Sequence, residues 1–360
     1  MSKLYIGLMS GTSLDGIDIA LCKIDSNSCI LVNYSEYPFN STLKDEILKI
    51  ISSQTTLKEI GLLHKKLGTL YANAIKKFLK EKEISAHTIE AIGLHGQTLW
   101  HEPNGEFPFS MQLGCPNSVV AQTGIKVISD FRNMDIANGG EGAPLTPAFH
   151  KFVFNSNREK TAVLNIGGMA NITLIQENLL GWDTGCGNVL LDLWIKNTQN
   201  RPYDKDGNYA KSGTLNRPLL NAMLEDKYFK KLPPKSTGRE YFNQEWLKKA
   251  LCSFLPIKDE DVQRTLLELT AFSVAKDVIE NNIALLIVCG GGVKNSFLMQ
   301  RIQELSQIKV QRSDDFGLNS DALEAMAFAW FAYKRVHRQS VKIKTVTGAK
   351  KNSILGGIYE

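Results

Sequence analysis

The chain has 360 residues, and its 42 lysine and arginine residues against 37 aspartate and glutamate residues give a net charge of +5. This length is more than one compact core usually holds and predicts about two domains. Hydrophobic residues make up 43% of the chain and charged residues 22%, which excludes disordered, collagen-like and coiled-coil proteins. Basic residues occur in short pairs, and no apolar run reaches the roughly 18 residues of a membrane span. We therefore expect a soluble, cytoplasmic protein without nucleic-acid or membrane partners.

Cysteine and histidine usage gives no sign of a metal centre. The six cysteines lie far apart without a CxxC pair, and the six histidines are equally scattered without an HExxH motif. Isolated thiols of this kind are typical of small buried side chains rather than of zinc ligands. We therefore expect reduced thiols and no transition-metal site.

One pattern occurs twice along the chain: an apolar strand, a glycine-rich turn and a second strand. The two copies start roughly 160 residues apart, near the beginnings of the two halves, and this suggests a duplicated architecture. The first copy runs through Leu4–Met9, Ser10–Gly16 and Ile17–Cys22, and the second through Ala162–Ile166, Gly167–Asn171 and Ile172–Ile175.

Between these turns the spacing of apolar residues changes to three and four, as in helices, and then returns to short apolar strands. Helices and strands alternate along the chain, which predicts an α/β fold with two sheets under helical cover. We expect the chain to cross between its halves in Asn133–Pro147, which is dense in Gly, Pro and Asn. The clearest predicted helices are Leu57–Leu79 (N-cap Thr55 or Thr56), Val189–Asn197, about Asp259–Asn281 and about Asp321–Val336; the clearest strands are Ile89–Leu94, Leu179–Trp182, Leu285–Cys289 and Lys309–Arg312.

The first glycine turn carries residues suited to a phosphate. Its small side chains let backbone N–H groups and hydroxyls approach an anion, and Asp15 or Asp18 is placed to hold a magnesium ion. The P-loop pattern GxxxxGK[ST] is absent, and an ordinary hairpin turn is the alternative for this segment taken alone. The residues predicted to contact a nucleotide here are Ser10, Gly11, Thr12, Ser13, Asp15 and Gly16.

Two further glycine turns follow strands in the second half. Asp183 stands at a strand end, and the small-residue turn after it leads into a helix whose N-terminus favours an anion. A run of three glycines follows another buried strand and suits an adenine or ribose lying against the backbone. Together with the first turn, they predict a nucleotide cleft. The residues predicted to contact the nucleotide are Gly185, Gly187, Asn188, Gly290, Gly291, Gly292 and Asn295.

Long motifs occur in order along nearly the whole chain: GLMSGTSLDGID at 7–18, GLHGQTLWHEP at 93–103, DFRNMDIANGGEGAPLTP at 130–147, LNIGGMANIT at 164–173, GWDTGCGN at 181–188, PPKSTGREYFN at 233–243, DVQRTLLELTA at 261–271 and CGGGVKN at 289–295. They resemble those of anhydro-N-acetylmuramic acid kinase. The resemblance implies the superfamily of sugar kinases, actin and heat-shock ATPases, with two ribonuclease-H-like domains and an ATP cleft between them. It implies a substrate-side domain over 1–133 with 338–360, and a nucleotide-side domain over 134–337.

The resemblance also implies a reaction. ATP and Mg²⁺ are expected as cofactors, and the 1,6-anhydro bridge of 1,6-anhydro-N-acetylmuramic acid is hydrolysed while O6 is phosphorylated, giving N-acetylmuramic acid 6-phosphate and ADP in peptidoglycan recycling. An inverting hydrolysis needs a carboxylate base to activate water, and we assign this role to Asp183. The γ-phosphoryl group captures the departing O6 in place of a proton. A structural N-cap or a magnesium ligand is the alternative role for Asp183.

Three side chains are assigned to the sugar. Thr98 follows a strand, where a ligand cleft lies in α/β folds, and is expected to bind a sugar hydroxyl. Arg132 is expected to clamp the substrate carboxylate, with a structural pair to Asp135 as the alternative. Glu324 is expected to contact the pocket, with solvation at a helix surface as the alternative. For His95, a place in the pocket and packing in the core both remain open.

Two other functions share the predicted cleft. One is a nucleotide-driven scaffold like actin, and the other is an ordinary sugar or carboxylate kinase, which needs no water at the anomeric carbon. Consumption of ATP with the anhydro sugar, compared with open-chain sugars and acetate, separates them. The sequence leaves both a monomer and a homodimer open.

Overall fold

A computed structural model of the chain describes residues 2–11, 14–52, 55–154, 160–233, 235–254 and 256–360. The chain forms two compact units: Met1–Val153 with Ala322–Glu360 is unit 1, and Phe154–Asp321 is unit 2. Each unit contains one sheet with helices, which confirms the predicted α/β class. No helix within the described ranges is long and apolar enough to cross a bilayer.

The elements follow one another along the chain with these bounds. The strands are β1 (Lys3–Ser10), β2 (Gly16–Ile24), β3 (Cys29–Pro38), β4 (Ile89–Glu102), β5 (Phe109–Leu113), β6 (Val127–Ser129), β7 (Thr161–Ile166), β8 (Met169–Ile175), β9 (Leu180–Cys186), β10 (Leu285–Cys289), β11 (Lys309–Arg312) and β12 (Gly357–Tyr359). The helices are α1 (Ser41–Ile51), α2 (Leu57–Glu81), α3 (Pro116–Thr123), α4 (Asn133–Ala137), α5 (Thr146–Phe154), α6 (Val189–Gln199), α7 (Asn208–Ser212), α8 (Arg217–Leu224), α9 (Gln244–Leu251), α10 (Asp259–Glu280), α11 (Ser296–Ser306), α12 (Leu323–Val336) and α13 (Lys344–Thr347).

The two sheets share one strand topology. Unit 1 has the order β12-β6-β4-β1-β2-β3, with β5 added to β4, and unit 2 has the order β11-β10-β7-β8-β9. In each sheet the first three strands form an antiparallel meander, and the fourth pairs parallel to the first. Both sheets therefore contain the strand order of a ribonuclease-H-like domain, and the duplication predicted from the two glycine hairpins is confirmed.

Helix α2 shows how the sequence builds the cover of the unit 1 sheet. Thr56 caps its N-terminus and exchanges hydrogen bonds with Glu59 in a capping box, as the sequence predicted for Thr55 or Thr56. Leu63, Leu67 and Tyr71 recur at a spacing of four residues and are completely buried. This apolar stripe packs in one core with residues of β1 and β4.

Helix α12 belongs to unit 1 because it packs directly on β1 and β4. A Cβ atom added at Gly7 would lie 1.7 Å from the Ala325 carbonyl oxygen, and one at Gly93 would lie 2.0 Å from that of Phe328. Only glycine permits this contact between strand and helix backbones. Residues 134–153 and 322–337 thus lie in unit 1, whereas the sequence analysis assigned them to the second domain.

Gly7→Ala should destabilise unit 1 by at least about 3 kcal/mol, because the added methyl group must displace the backbone of α12. Gly61→Ala is the matched control: this position lies in α2 with nothing within 4 Å of an added Cβ. The control should stabilise unit 1 by about 0.5 to 1 kcal/mol. Urea unfolding of the three proteins tests this, and equal stability of Gly7→Ala and wild type would contradict the close packing.

Candidate functional site

The carboxyl ends of β1 and β4 meet at one edge of the unit 1 sheet, because the strands run parallel and Ser10 pairs with Gln97. The Gln97 side-chain amide donates to the Gly11 carbonyl over 3.3 Å and ties the first glycine turn to β4. The Ser10 hydroxyl is buried and hydrogen-bonded to the Tyr71 hydroxyl at 2.9 Å, so it faces the core. Gly16 starts β2 where a Cβ would collide with the backbone of β3.

The two predicted magnesium ligands differ in their surroundings. Asp15 is exposed just before β2, whereas Asp18 is half-buried within β2 and accepts a hydrogen bond from the Tyr34 hydroxyl. Magnesium at a nucleotide usually takes one or two carboxylates together with phosphate oxygens and water. Asp15 fits that role, and Asp18 fits it less well because one of its oxygens is engaged. Thr12 and Ser13 lie outside the described residues.

Arg132 lies just beyond β6, at the same edge of unit 1. Its Nε and Nη2 both donate to Nε2 of His95, at 3.2 and 2.9 Å, and its Nη1 donates to the Gly142 carbonyl at 2.9 Å. Burial lowers the pKa of Arg132 to about 10, and the negative charge of Glu324 acts in the opposite direction. The guanidinium is thus oriented by neutral partners and keeps its charge at neutral pH, which suits it to an anion.

The alternative Arg132–Asp135 pair is not formed. Asp135 instead accepts hydrogen bonds from the backbone N–H of Gly142 and from the Thr347 hydroxyl, both at 2.9 Å. It therefore holds the loop whose carbonyl receives Arg132.

His95 both packs in the core and orients Arg132. It is 4% exposed, its ring lies 4.6 Å from that of Phe328, and burial together with the charge of Arg132 lowers its pKa well below the ordinary value. Because Nε2 accepts from Arg132, the ring proton is assigned to Nδ1. His95 is therefore a neutral acceptor.

Thr98 lies in β4 opposite Gln112 of β5. The Gln112 amide donates to the Thr98 hydroxyl at 3.3 Å and to the Ser110 hydroxyl at 2.7 Å, and Asn133 donates to the Ser110 carbonyl at 3.0 Å. This network orients Thr98. The sequence analysis missed Gln112, since only the pairing of β4 with β5 places it there.

Three glycine turns meet at the carboxyl edge of the unit 2 sheet, because β7, β9 and β10 run in the same direction. The N–H groups of Gly187 and Asn188 donate to the carbonyls of Gly168 and Gly167, each at 2.9 Å. A Cβ at Gly292 would lie 2.3 Å from the side chain of Ile166, the last residue of β7. The structure thus brings together the two turns predicted for phosphate and nucleoside.

These hydrogen bonds differ from the sequence prediction that the N-terminus of α6 favours an anion. The N–H groups of Gly187, Asn188 and Val189 all donate to the Gly167–Gly168 turn, so these donors are not directed at a ligand. Gly185, just before them, has a φ of +155° and lies close to Phe229. The Asn188 side chain makes no capping bond at the start of α6. From this turn, contact with a phosphate would therefore come from side chains.

The Gly290–Gly292 run has one open position. Gly290 has a φ of +80°, and a Cβ there or at Gly292 would collide with the end of β7, whereas nothing lies within 4 Å of a Cβ at Gly291. Asn295 caps α11, with its side-chain oxygen accepting from the N–H of Leu298 at 2.9 Å. Asn295 therefore has a structural role as the N-cap of α11, in addition to its predicted contact with the nucleotide.

Asp183 is held by a segment that follows it by about fifty residues in the sequence. Its backbone N–H donates to the Lys235 carbonyl at 3.0 Å, and its Oδ2 accepts the N–H of Thr237 at 2.9 Å. The Tyr228 hydroxyl donates to the Asp183 carbonyl at 2.8 Å. Asp183 lies within β9, three residues before its end, and is not the N-cap of α6, which is Asn188. The sequence analysis quoted the segment's motif without giving it a role.

Cys186 is the last residue of β9, and its side chain is buried. Burial raises the pKa of its thiol to about 12, so the thiol remains neutral. The Thr270 hydroxyl donates at 3.0 Å to the carbonyls of Cys186 and Gly187, which clamps the turn to α10.

His95 should be a neutral imidazole at pH 6, where a free histidine is largely protonated, because burial and the charge of Arg132 both lower its pKa. Nitrogen-detected NMR of the ring tests this, and an imidazolium at pH 6 would contradict it. In the unfolded chain His95 protonates near pH 6.5, so its contribution to stability falls as the pH drops below that value. His95→Leu should weaken the loss of stability at acid pH.

Comparison with known proteins identifies the family. The family model described as anhydro-N-acetylmuramic acid kinase matches residues 3–360. The protein of that name from Sulfurimonas denitrificans is 55% identical, with 100% of both chains covered. Proteins of the same name from Sulfurovum sp. and Actinobacillus pleuropneumoniae are 51% and 47% identical, covering 99% of this chain and 98% and 99% of theirs. The chain therefore belongs to the anhydro-N-acetylmuramic acid kinase family.

Proposed function

We propose that this enzyme hydrolyses the 1,6-anhydro bridge of 1,6-anhydro-N-acetylmuramic acid and transfers the γ-phosphoryl group of ATP to O6. The products are N-acetylmuramic acid 6-phosphate and ADP. Membership of the family over the full chain supports the kinase activity. The observation that carries the mechanism is the position of Asp183, which lies near the edge of unit 2 where three glycine turns meet.

Asp183 is the general base in this proposal. It takes a proton from water as the oxygen attacks the anomeric carbon, and the bond between that carbon and O6 breaks. The electron pair on O6 then takes the γ-phosphoryl group, and ADP leaves. One Asp183 oxygen accepts the N–H of Thr237, and this hydrogen bond orients the carboxylate.

Unit 2 supplies the nucleotide contacts in this proposal, through Gly291 and the Asn188 side chain. Unit 1 supplies Ser10–Gly16. When bound with ATP, magnesium would spread the charge of the phosphoryl oxygens, and Asp15 is the carboxylate that fits it best.

Unit 1 supplies the sugar contacts. Arg132 binds the substrate carboxylate, because its guanidinium is held by the neutral His95 and retains its charge. Thr98, oriented by Gln112, binds a sugar hydroxyl. Glu324, whose charge acts on Arg132, completes this group.

Asp183→Asn should lower kcat by about 10² to 10⁴, because it keeps the shape of the side chain and removes the proton acceptor. Binding of ATP should remain. The assay is ADP release with the anhydro sugar, and open-chain sugars and acetate serve as alternative acceptors.

Asp259→Asn is the matched control, since this exposed carboxylate also lies in unit 2, at the start of α10. It should retain the wild-type kcat. A normal kcat for Asp183→Asn would remove Asp183 as the base, and wild-type turnover with open-chain sugars alone would favour an ordinary sugar kinase.

Gly291→Leu should raise the KM for ATP by at least about tenfold, because the new side chain occupies the open position where we place the nucleoside. The variant should fold normally, since nothing lies within 4 Å of the added Cβ. Gly291→Ala should show a smaller rise. An unchanged KM in a folded Gly291→Leu protein would place the nucleoside elsewhere.

A further inference from the structure

The segment Lys235–Arg239 lies alongside β9 at the proposed base. The Lys235 carbonyl accepts the N–H of Asp183, and the N–H of Thr237 donates to the Asp183 carboxylate, at 3.0 and 2.9 Å. Two bonds thus fix the segment to both the backbone and the side chain of Asp183. The residues that follow are carried towards the edge where the glycine turns meet.

Aromatic packing holds this segment on both sides. Before it, Tyr228 donates to the Asp183 carbonyl, and the Lys235 ammonium lies 5.2 Å from the centre of the Tyr228 ring. After it, Phe242 is completely buried and its ring lies 5.4 Å from that of Tyr228. The backbone of Lys235–Arg239 therefore has a defined position beside Asp183.

Arg239 places a positive charge on the glycine turn next to Asp183. A Cβ built on Gly168 would lie 3.6 Å from its Nη2 and 3.7 Å from its Nε, so the guanidinium lies against the side of Gly168 that has no side chain. The Gly168 carbonyl accepts the N–H groups of Gly187 and Val189. The guanidinium therefore lies against the Gly167–Gly168 turn. This turn follows β7, and the residues between β9 and α6 are hydrogen-bonded to it.

The charge of Arg239 is available to a ligand. Arg239 is exposed, and it forms no ion pair with any carboxylate in the described part of the chain. The N–H donors of Gly187, Asn188 and Val189, in contrast, are all used within the protein. Arg239 is thus a donor at this edge that makes no hydrogen bond to any other residue the structure describes.

We propose that Arg239 is a catalytic residue that binds the γ-phosphoryl group of ATP as it moves to O6. This inference rests on the proposed function. The planar guanidinium fits two phosphoryl oxygens and balances the charge that spreads over them in the transition state. It gives up no proton: the bond from phosphorus to ADP breaks, the bond to O6 forms, and the water proton goes to Asp183.

Arg239→Ala should lower kcat by about 10³, the order found for arginines that contact a transferred phosphoryl group. Arg239→Lys should recover a small part of the activity, because an ammonium keeps the positive charge but lacks the two parallel N–H donors of a guanidinium. Millimolar guanidinium chloride should restore Arg239→Ala at least about tenfold. A purely structural role would not respond to guanidinium. Arg217→Ala, which removes an exposed arginine of α8 in the same unit, should behave as wild type.

An arginine at this place could instead bind the carboxylate of the sugar substrate. Binding measurements distinguish this role from binding of the γ-phosphoryl group. Arg239→Ala should weaken binding of ADP with aluminium fluoride, a mimic of the transferred phosphoryl group, by at least about tenfold, and leave binding of the anhydro sugar unchanged. The opposite pattern would assign Arg239 to the sugar carboxylate and overturn the proposal.

A normal kcat for Arg239→Ala would also overturn the proposal. If wild type turns over the anhydro sugar and Arg239→Ala is normal, the inference about Arg239 is wrong while the proposed function stands. If wild type itself does not turn over the anhydro sugar, the proposed function is wrong.

Discussion

Parallel pairing of the first strand with the fourth determines where chemistry is possible in both units. β1 with β4, and β7 with β10, run in the same direction, so the turns that follow them lie at one edge of each sheet. A parallel pair needs a crossover connection, and α2 provides it in unit 1. The glycines after these strands then allow backbones to approach within distances that a Cβ would prevent.

Unit 2 uses most of its turn donors to hold the turns together. Three successive N–H groups after β9 donate to the Gly167–Gly168 carbonyls, and the Thr270 hydroxyl clamps the other side. In the proposed site a phosphate is therefore bound by side chains, and the nucleoside lies at the open position of Gly291. In unit 1, the Arg132 guanidinium donates to two neutral acceptors, the His95 ring and the Gly142 carbonyl, and we propose that it binds the substrate carboxylate.

Strong local periodicity made much of the fold predictable. The strand Leu285–Cys289 has the bounds that the sequence predicted, and α10 ends one residue earlier than predicted. β3 was missed because two of its apolar residues, Ile30 and Val32, are exposed and its apolar pattern is weak. The place of α12 in unit 1 depends on packing against strands more than two hundred residues away, which no local pattern records.

The candidate site could be predicted from the sequence only where glycine turns and strand ends mark it. These features led to Asp183, Arg132 and the three turns. Contacts between segments far apart in the sequence could not be predicted. Thr237 and Asp183 are 54 positions apart, and His95 and Arg132 are 37 apart. Those contacts decide how the functional groups are oriented.

The most direct test of this account is turnover of the anhydro sugar in ¹⁸O-labelled water. Water activated by Asp183 should place the label at the anomeric carbon and none in the bridge between O6 and phosphorus. The product must be analysed in the first turnovers, before the anomeric oxygen exchanges with the solvent. Label in the phosphate, or none at the anomeric carbon, would contradict the coupling of ring opening to phosphoryl transfer.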